Sequence, residues 1–483
     1  MSIRPSSLLV PTGKAGFAMT QPAERHTAKV IGVTVAAAVG GFLFGFDSSV
    51  VNGAVDSIQE NFGLSSFVTG FAVAIALLGC AVGAWFAGRL ADSWGRKRVM
   101  LLGSALFTIS SVGSGFAFSI PDLMLWRVLG GLGIGIASVI APAYISEIAP
   151  ARYRGGLASL QQLAITVGIF AALLSDAVLQ NAAGGPANDL WFGMEAWRWM
   201  FLVGVVPALV YGFLATLIPE SPRYLVGKHL DEEAARILGE ISGEVNPTER
   251  VKEIRLTLKK DAKSSFSDIR GPKFGLQPIV WVGITMAVLQ QFVGINAIFY
   301  YSTTLWKSVG FSENQSFVTS VITSIINVTM TFVAILFVDR FGRKNLLQIG
   351  SIGMFVGLVL AAVSFTQAVG SGDDLTLPSP WGPVALVGAN LFVIFFAATW
   401  GPIMWVMLGE MFPNNMRAVA LGVSTAANWV ANFAITLAFP PLTQSIGLGF
   451  IYAFFAFFAL VSFFFVKFKI RETKGMELED MIL

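Results

Sequence analysis

The sequence holds one cysteine, Cys80, and only two histidines, His26 and His229. A lone cysteine excludes an internal disulfide and a thiolate metal cluster. Both histidines lie in polar segments, which removes histidine-based metal and acid–base centres from the apolar part. Charge is scarce as well: 13% of residues are charged against 55% hydrophobic, and the mean hydropathy is +0.70. A soluble chain of 483 residues would need far more charge to cover its surface, so lipid is the solvent this composition suits. The net charge of +3 is too small to point to a nucleic-acid partner. No Gly-rich phosphate loop with its lysine is present, so an ATP-driven pump is not indicated and no cofactor is expected. Residues 1–28 are polar and rich in Ser, Thr and Pro, without the regions of a cleaved signal peptide. They read as a disordered cytoplasmic tail, with Met19 as an alternative start.

What is abundant is long apolar runs. Twelve lie near 29–51, 67–88, 99–119, 122–145, 157–180, 197–217, 277–306, 316–338, 345–366, 382–408, 418–439 and 446–466. Each reaches roughly the 20 residues that span a bilayer as a helix. Helices satisfy every backbone amide in lipid, and a barrel would show shorter alternating segments. The expected fold is an all-α membrane protein of twelve transmembrane helices in two six-helix halves, 29–219 and 276–468. Between them, 220–275 holds about a third of the charged residues and reads as a cytoplasmic helical linker domain. A plain linker is the alternative. A cytoplasmic tail, 469–483, follows the last span.

Lysines and arginines cluster after even-numbered spans: Arg89 to Arg98, Arg152 and Arg154, Arg340 to Lys344, Arg417, and Lys467 to Arg471. By the positive-inside rule both termini face the cytoplasm of a cell inner (plasma) membrane. Arg127, Arg198 and Lys307 are the exceptions. The sequence also repeats itself. Asp92-Ser-Trp-Gly-Arg-Lys97 returns as Asp339-Arg-Phe-Gly-Arg-Lys344, and Glu147-x-x-Pro150-x-x-x-Arg154 returns as Glu410-x-x-Pro413-x-x-x-Arg417. Glu220-Ser221 is weakly echoed by Glu472-Thr473. Two parallel copies with a site between them near the midplane are a transporter's architecture.

Ionisable groups inside spans are expensive and need a partner or a task. Asp47 lies 18 residues beyond Lys29, about 27 Å along a helix, and Arg127 lies 20 residues before Glu147, about 30 Å. The two are therefore at similar depth and can pair. One reading makes Asp47 a proton carrier, because drying favours the neutral carboxyl and a nearby arginine the charged one. The other is a static ion pair. Gln161, Gln162, Gln290, Gln291, Asn296, Asn327 and Asn428 bring amides into the spans, with Trp405 and Trp429 among them. Amides offer donors and acceptors together and match a neutral polyhydroxyl ligand; they also serve as helix–helix glue. On a straight helix residues 291 and 296 point roughly 140° apart, so span seven must bend to bring them together, and Gly294 allows it. Gly401-Pro402 marks a second break. The charges Asp92, Arg96, Glu147, Arg154, Glu220 and Arg223, with Asp339, Arg343, Glu410 and Arg417, suggest a cytoplasmic latch that joins the halves when the cavity opens outward and releases them when it opens inward.

Across about residues 30–475 these motifs resemble the sugar porter family of the major facilitator superfamily. The resemblance rests on Gly88-x-x-x-Asp92-x-x-Gly-Arg-Lys97, Arg127-x-x-Gly-Gly, Pro219-Glu-Ser-Pro-Arg223, Gln290-Gln291-x-x-Gly-Ile-Asn296, Asp339-x-x-Gly-Arg-Lys344 and Gly401-Pro-x-x-Trp405. It implies alternating access and a monosaccharide held mainly by the second half. The implied ligands are Gln162, Gln290, Gln291, Asn296, Asn327, Trp405 and Asn428, with Tyr300 and Phe44 nearby. The usual Pro-Glu-Thr-Lys-Gly after the last span reads Arg471-Glu-Thr-Lys-Gly475 here. Asp47 matches the bacterial proton symporters, whereas animal glucose facilitators tend to have Asn there, so the proton is the expected coupling ion. Ile169, Phe299 and Asn428 look like the glucose facilitators. Glucose is the first expected substrate, with xylose or galactose close behind, and the protein is expected to work as a monomer. An uncoupled facilitator is the nearest rival. A sugar-sensing receptor would need a longer tail than the segment after Lys469, and no clustered catalytic groups suggest an enzyme.

Overall fold

A computed structural model describes residues 20–148, 154–261, 269–272, 275–369, 376–413 and 416–472. Its helices are α1 (Thr20–Asn61), α2 (Ser66–Trp94), α3 (Arg96–Gly115), α4 (Ile120–Ile148), α5 (Arg154–Ala183), α6 (Ala196–Val203) and α7 (Val205–Leu217) in the first half. The second half holds α11 (Pro278–Phe292), α12 (Ile295–Tyr300), α13 (Ser302–Lys307), α14 (Glu313–Phe341), α15 (Arg343–Thr366), α16 (Trp381–Phe395), α17 (Gly401–Glu410), α18 (Arg417–Ser445) and α19 (Leu448–Lys469). Spans six, seven and ten are the interrupted ones: α6 with α7, α11 with α12, and α16 with α17 through a π-turn at Phe396–Trp400. Among the described residues, eleven helices are long and apolar enough to cross a membrane. The twelfth expected span is α3, whose hydropathy is diluted by Ser104, Thr108, Ser110, Ser111 and Ser114. Ser104 and Ser110 bond the carbonyls of Ala208 and Trp126 on neighbouring helices.

The expected tail at 1–28 needs correction where it is described. Residues 20–28 are helical and continue α1 beyond the apolar run. Pro22 stands in the first turn, where a missing N–H does no harm. Residues 1–19 and the tail from 473 lie outside the described residues.

Packing repeats between the halves. α1 lies on α5 as α11 lies on α18, and α3 lies on α7 as α15 lies on α19. The halves meet through α2 with α18 and through α5 with α14. Small residues make these approaches close. Gly131 and Gly135 of α4 face the backbone carbonyls of Ala76 and Cys80 on α2, and Gly45 of α1 faces the Ile165 carbonyl on α5. The run Gly131-Leu-Gly-Ile-Gly135 is thus a packing face.

Between the halves α8 (Pro222–Gly227), α9 (Asp231–Glu240) and α10 (Pro247–Asp261) share a small apolar cluster of Leu225, Val226, Ala234, Ile237, Leu238 and Val251. It sits at the same end of the bundle as the repeated charges, called here the linker end.

Span seven breaks where the angular argument requires. α11 stops at Phe292, Gly294 takes a left-handed conformation with φ +86°, and α12 starts at Ile295. The Phe455 ring fills the place a Cβ on Gly294 would need. Gly294→Ala is therefore expected to cost about 1–3 kcal/mol through backbone strain, with the clash in addition. It should lower the thermal unfolding midpoint in detergent. Gly422→Ala, on α18 with open space around it, should not.

Candidate functional site

The amides converge around that break. Asn296 Nδ2 donates to Gln291 Oε1 at 2.6 Å. Gln291 Nε2 donates to Asn428 Oδ1 at 3.1 Å, and Asn428 Nδ2 to Gln290 Oε1 at 3.0 Å and to the Ala287 carbonyl at 2.9 Å. Gln290 Nε2 closes the set on the carbonyls of Trp400 and Gly401, at 3.1 and 3.3 Å. These are carbonyls at the end of the π-turn, where the regular helical pattern is interrupted ahead of Pro402. Spans seven, ten and eleven are thus tied by one network of side-chain amides. Amides paired with amides can exchange those bonds for a hydroxylated ligand's without being stranded.

Aromatic groups frame the network. Trp400 donates its indole N–H to Ser351 Oγ at 2.9 Å and to the Leu347 carbonyl at 3.1 Å. Phe44 meets Trp429 edge-on with ring centroids 5.2 Å apart. Tyr300 accepts from Asn432 Nδ2 at 3.4 Å. Asn327 and Phe299 are buried, whereas Gln162, Ile169 and Trp405 are half-buried. Its neighbour Gln161 turns toward Gly41 of α1 and leaves Oε1 without a hydrogen bond.

Asp47 and Arg127 form an ion pair, with Arg127 Nη1 2.6 Å from Asp47 Oδ1 and side chains 3% and 7% exposed. Arg127 also lies over the Phe201 ring at 5.7 Å. Phe44, Ser48 and Tyr300 line a small cavity with the pair, so two of its walls also belong to the amide site. A further buried carboxyl, Asp176 on α5, accepts from the Gly53 N–H of α1 at 3.3 Å. Sequence reasoning passed over it, as it passed over Ser48, Trp400 and Asn432.

The charge repeat is capping as well as pairing. Glu220 Oε1 accepts from the Arg96 N–H at 2.9 Å at the start of α3. Glu472 does the same at the start of α15, accepting from Arg343 N at 2.9 Å and Lys344 N at 3.0 Å. Carboxylates at helix N-termini satisfy free N–H groups and complement the dipole. Arg96 reaches Glu147 at 2.9 Å, Arg343 reaches Glu410 at 3.2 Å, and Asp92 meets Arg96 at 3.2 Å. Ser221 donates to Glu147. Each of these described pairs joins groups of one half or of the segment that directly follows it. The expected latch was to hold when the cavity opens outward and to release when it opens inward; among the described pairs, Glu147, Glu220, Glu410 and Glu472 meet a helix start or an arginine on their own side of the linker. Arg223 is described and has a partner. The side chains of Arg154, Asp339 and Arg417 lie outside the described residues.

Bonds between the halves appear at the far end. Asn52 of α1 accepts from the Thr303 N–H at 3.0 Å, and Thr303 Oγ1 donates to the Asn52 carbonyl at 2.9 Å. Lys307 meets Asp56 at 3.0 Å and Glu313 at 3.3 Å, and Thr304 Oγ1 donates to Asp56 at 2.7 Å. Burial works against the Lys307 ammonium, but Asp56 and Glu313 outweigh it and raise its pKa above the ordinary lysine value. It stays charged at neutral pH.

Comparison with known proteins places this geometry. Residues 33–482 match the family model described as "Sugar (and other) transporter". The chain is 53% identical over 453 residues to a glucose transport protein of Synechocystis, covering 94% of this chain and 97% of that one. It is 35% identical over 490 residues to a D-xylose-proton symporter of Escherichia coli, covering 94% and 96%. Its fold is similar to that of the E. coli xylose transporter XylE in a partially occluded inward open conformation, with a TM-score of 0.81, 32% identity, and 93% and 100% of the two chains covered. The chain belongs to the sugar porter family of the major facilitator superfamily.

Proposed function

We propose that this sugar transporter imports a monosaccharide, glucose before xylose or galactose, by alternating access coupled to proton symport through Asp47 and Arg127. The observation that carries the sugar site is the amide network joining Gln290, Gln291, Asn296 and Asn428 across spans seven, ten and eleven. It presents donors and acceptors without net charge, which suits a polyol and not an ion. Similarity to a glucose transport protein favours glucose, and similarity to a proton symporter favours coupling. Half-buried Gln162, Ile169 and Trp405, with buried Asn327, Phe299 and Tyr300, complete the proposed pocket beside Phe44. On this reading Arg127 favours the carboxylate of Asp47, and withdrawal of the arginine favours its protonation.

The basic clusters favour a cytoplasmic linker end and cytoplasmic termini. The bonds of Asn52 and Asp56 to α13 then close the outer side, and the protein faces inward. Similarity to an inward open structure supports the same reading.

Losing a neutral hydrogen-bond partner removes about 0.5–1.5 kcal/mol from a complex, more where a buried partner is stranded. Gln290→Ala and Gln291→Ala should each weaken sugar binding severalfold to tenfold or more, while membrane insertion is kept. Calorimetric titration of the purified variants with glucose and xylose measures this, and unchanged affinity in both would return the amides to a purely structural role.

Asp47→Asn should abolish sugar accumulation driven by an acidic exterior in proteoliposomes and leave counterflow exchange running. A variant that still concentrates sugar would remove Asp47 as the carrier.

Lys307→Ala should release the far-end clasp and shift the population toward the outward-open form. Spin labels at positions 60 and 314 should then move apart on average in a pulsed distance measurement. An unchanged distribution would deny the clasp a part in gating.

A further inference from the structure

Arg198, one of the arginines outside the basic clusters, is explained by a short hairpin. β1 (Asp189–Trp191) and β2 (Met194–Glu195) pair antiparallel at the far end of the bundle, with Trp191 opposite Met194. Arg198 Nε donates to Glu195 at 2.8 Å, and Nη1 donates to the carbonyls of Gly115 and Ala117 at 3.3 and 2.7 Å. The guanidinium thus fastens the hairpin to the end of α3.

The turn of the hairpin is Phe192-Gly193, with φ +57° and +69°. Positive φ at both central residues is what a tight hairpin turn requires, and Asn, Asp or Gly normally fills the first place. A phenylalanine there is strained. Packing within the protein offers little in return, because Phe192 is 93% exposed. Among the described residues the ring lies against Trp199 at 6.2 Å, and Trp199 also meets Trp191 edge-on at 5.2 Å.

Trp199 shows where the tip lies. Val206, Val210, Phe213 and Leu217 follow it along span six at helical spacing, and all four are exposed. An apolar exposed stripe on a membrane-spanning helix is its lipid-facing side. The aromatic cluster is the continuation of that stripe at its far end. Phe116 and Phe118, which flank the Ala117 carbonyl that Arg198 bonds, are exposed as well.

We propose that the tip of this hairpin sits in the bilayer interface, at the boundary between headgroups and acyl chains, and fixes the depth of span six. Tryptophan concentrates at that boundary, where its apolar body and its polar N–H are both satisfied, and Trp191 and Trp199 bring the apolar Phe192 ring to it. The exposed phenylalanine and the strained turn are then accounted for by lipid contact. The inference rests on the membrane-spanning fold and not on the choice of sugar or on proton coupling.

The test is a nitroxide at Phe192→Cys in the Cys80→Ser background, reconstituted as the full chain in phosphatidylcholine vesicles. A label at Val245→Cys, on the exposed linker side, serves as the aqueous reference. Power saturation should show oxygen favoured at position 192 and a water-soluble nickel chelate several times less effective there than at 245. Chelate access equal to that at 245 would overturn the proposal. So would dipolar broadening between labelled copies that vanishes on dilution with unlabelled protein, which would assign the tip to a second copy of the chain. Retained counterflow exchange in the labelled variant confirms that either result comes from folded protein.

Discussion

Water does not hydrate the hydrocarbon core, so a charged or amide side chain in a span, unlike a serine or threonine that can bond its own helix backbone, gains most from a partner on another helix. That constraint organises the bundle. Asp47 meets Arg127 across α1 and α4. Asn428 on α18 meets Gln290 and Gln291 on α11, and Gln290 in turn meets the carbonyls at the end of the π-turn in span ten. Breaking either partner of a buried charge pair leaves the other uncompensated, at roughly 3–5 kcal/mol. The polar groups are few because each needs a built counterpart, and for the same reason they gather where a ligand can replace a neighbour. The irregular backbone at Gly294 and at Phe396–Trp400 lies at this gathering, inside the protein, where freed carbonyls can be bonded.

Outside the core the same chemistry is used twice. Gly95 and Gly342 turn the chain sharply between spans two and three and between spans eight and nine, with φ +91° and +82°. The helix that follows each glycine opens with free N–H groups, and a carboxylate more than a hundred residues later closes them: Glu220 in one half, Glu472 in the other. This is the physical content of the repeated sequence motifs. The glycine supplies the corner, the arginine pairs with the carboxylate at the end of the fourth or tenth span, and the late glutamate caps the helix. Each half is thereby stiffened at the linker end as a unit.

Some of this was legible in the sequence, for identifiable reasons. Apolar runs reveal spans because lipid tolerates nothing else, and the depth of Asp47 and Arg127 follows from a fixed helical rise. The break at Gly294 follows from angles alone, since Gln291 and Asn296 cannot meet on a straight helix. The echo of Glu220 in Glu472 is faint as a sequence match yet holds as geometry. What was not legible depends on long-range register. Asp56 and Lys307 are 251 residues apart, and nothing local says which charge answers which. Trp400 reads as one more apolar residue until the π-turn brings its carbonyl to Gln290. Residues 20–28 look like tail because they are polar, but polarity does not forbid a helix that continues a span into water. The latch charges are a related case: sequence gives the charges at the linker end, whereas their pairing depends on which conformation the halves adopt.

The contacts around Asp47 suggest how a proton and a sugar can be read by one movement. Phe44 is on α1, one turn before Asp47, and its ring packs on Trp429 of the opposite half. Tyr300 belongs to the opposite half, yet it lines the cavity that holds Asp47 and Arg127. The ion pair lies in the first half and the amide network in the second, and the wall between them is made by side chains of both. On the proposed reading, rocking one half against the other cannot leave either site unchanged. On the same reading, moving Phe44 away from Trp429 would open the amide site, and that motion would carry Tyr300 relative to the Asp47 cavity. A sugar that bridges the halves would oppose that motion, and protonation of Asp47 would remove the charge that holds Arg127. Coupling then needs no long relay. It needs only that the two sites share a wall whose two faces belong to different rigid bodies.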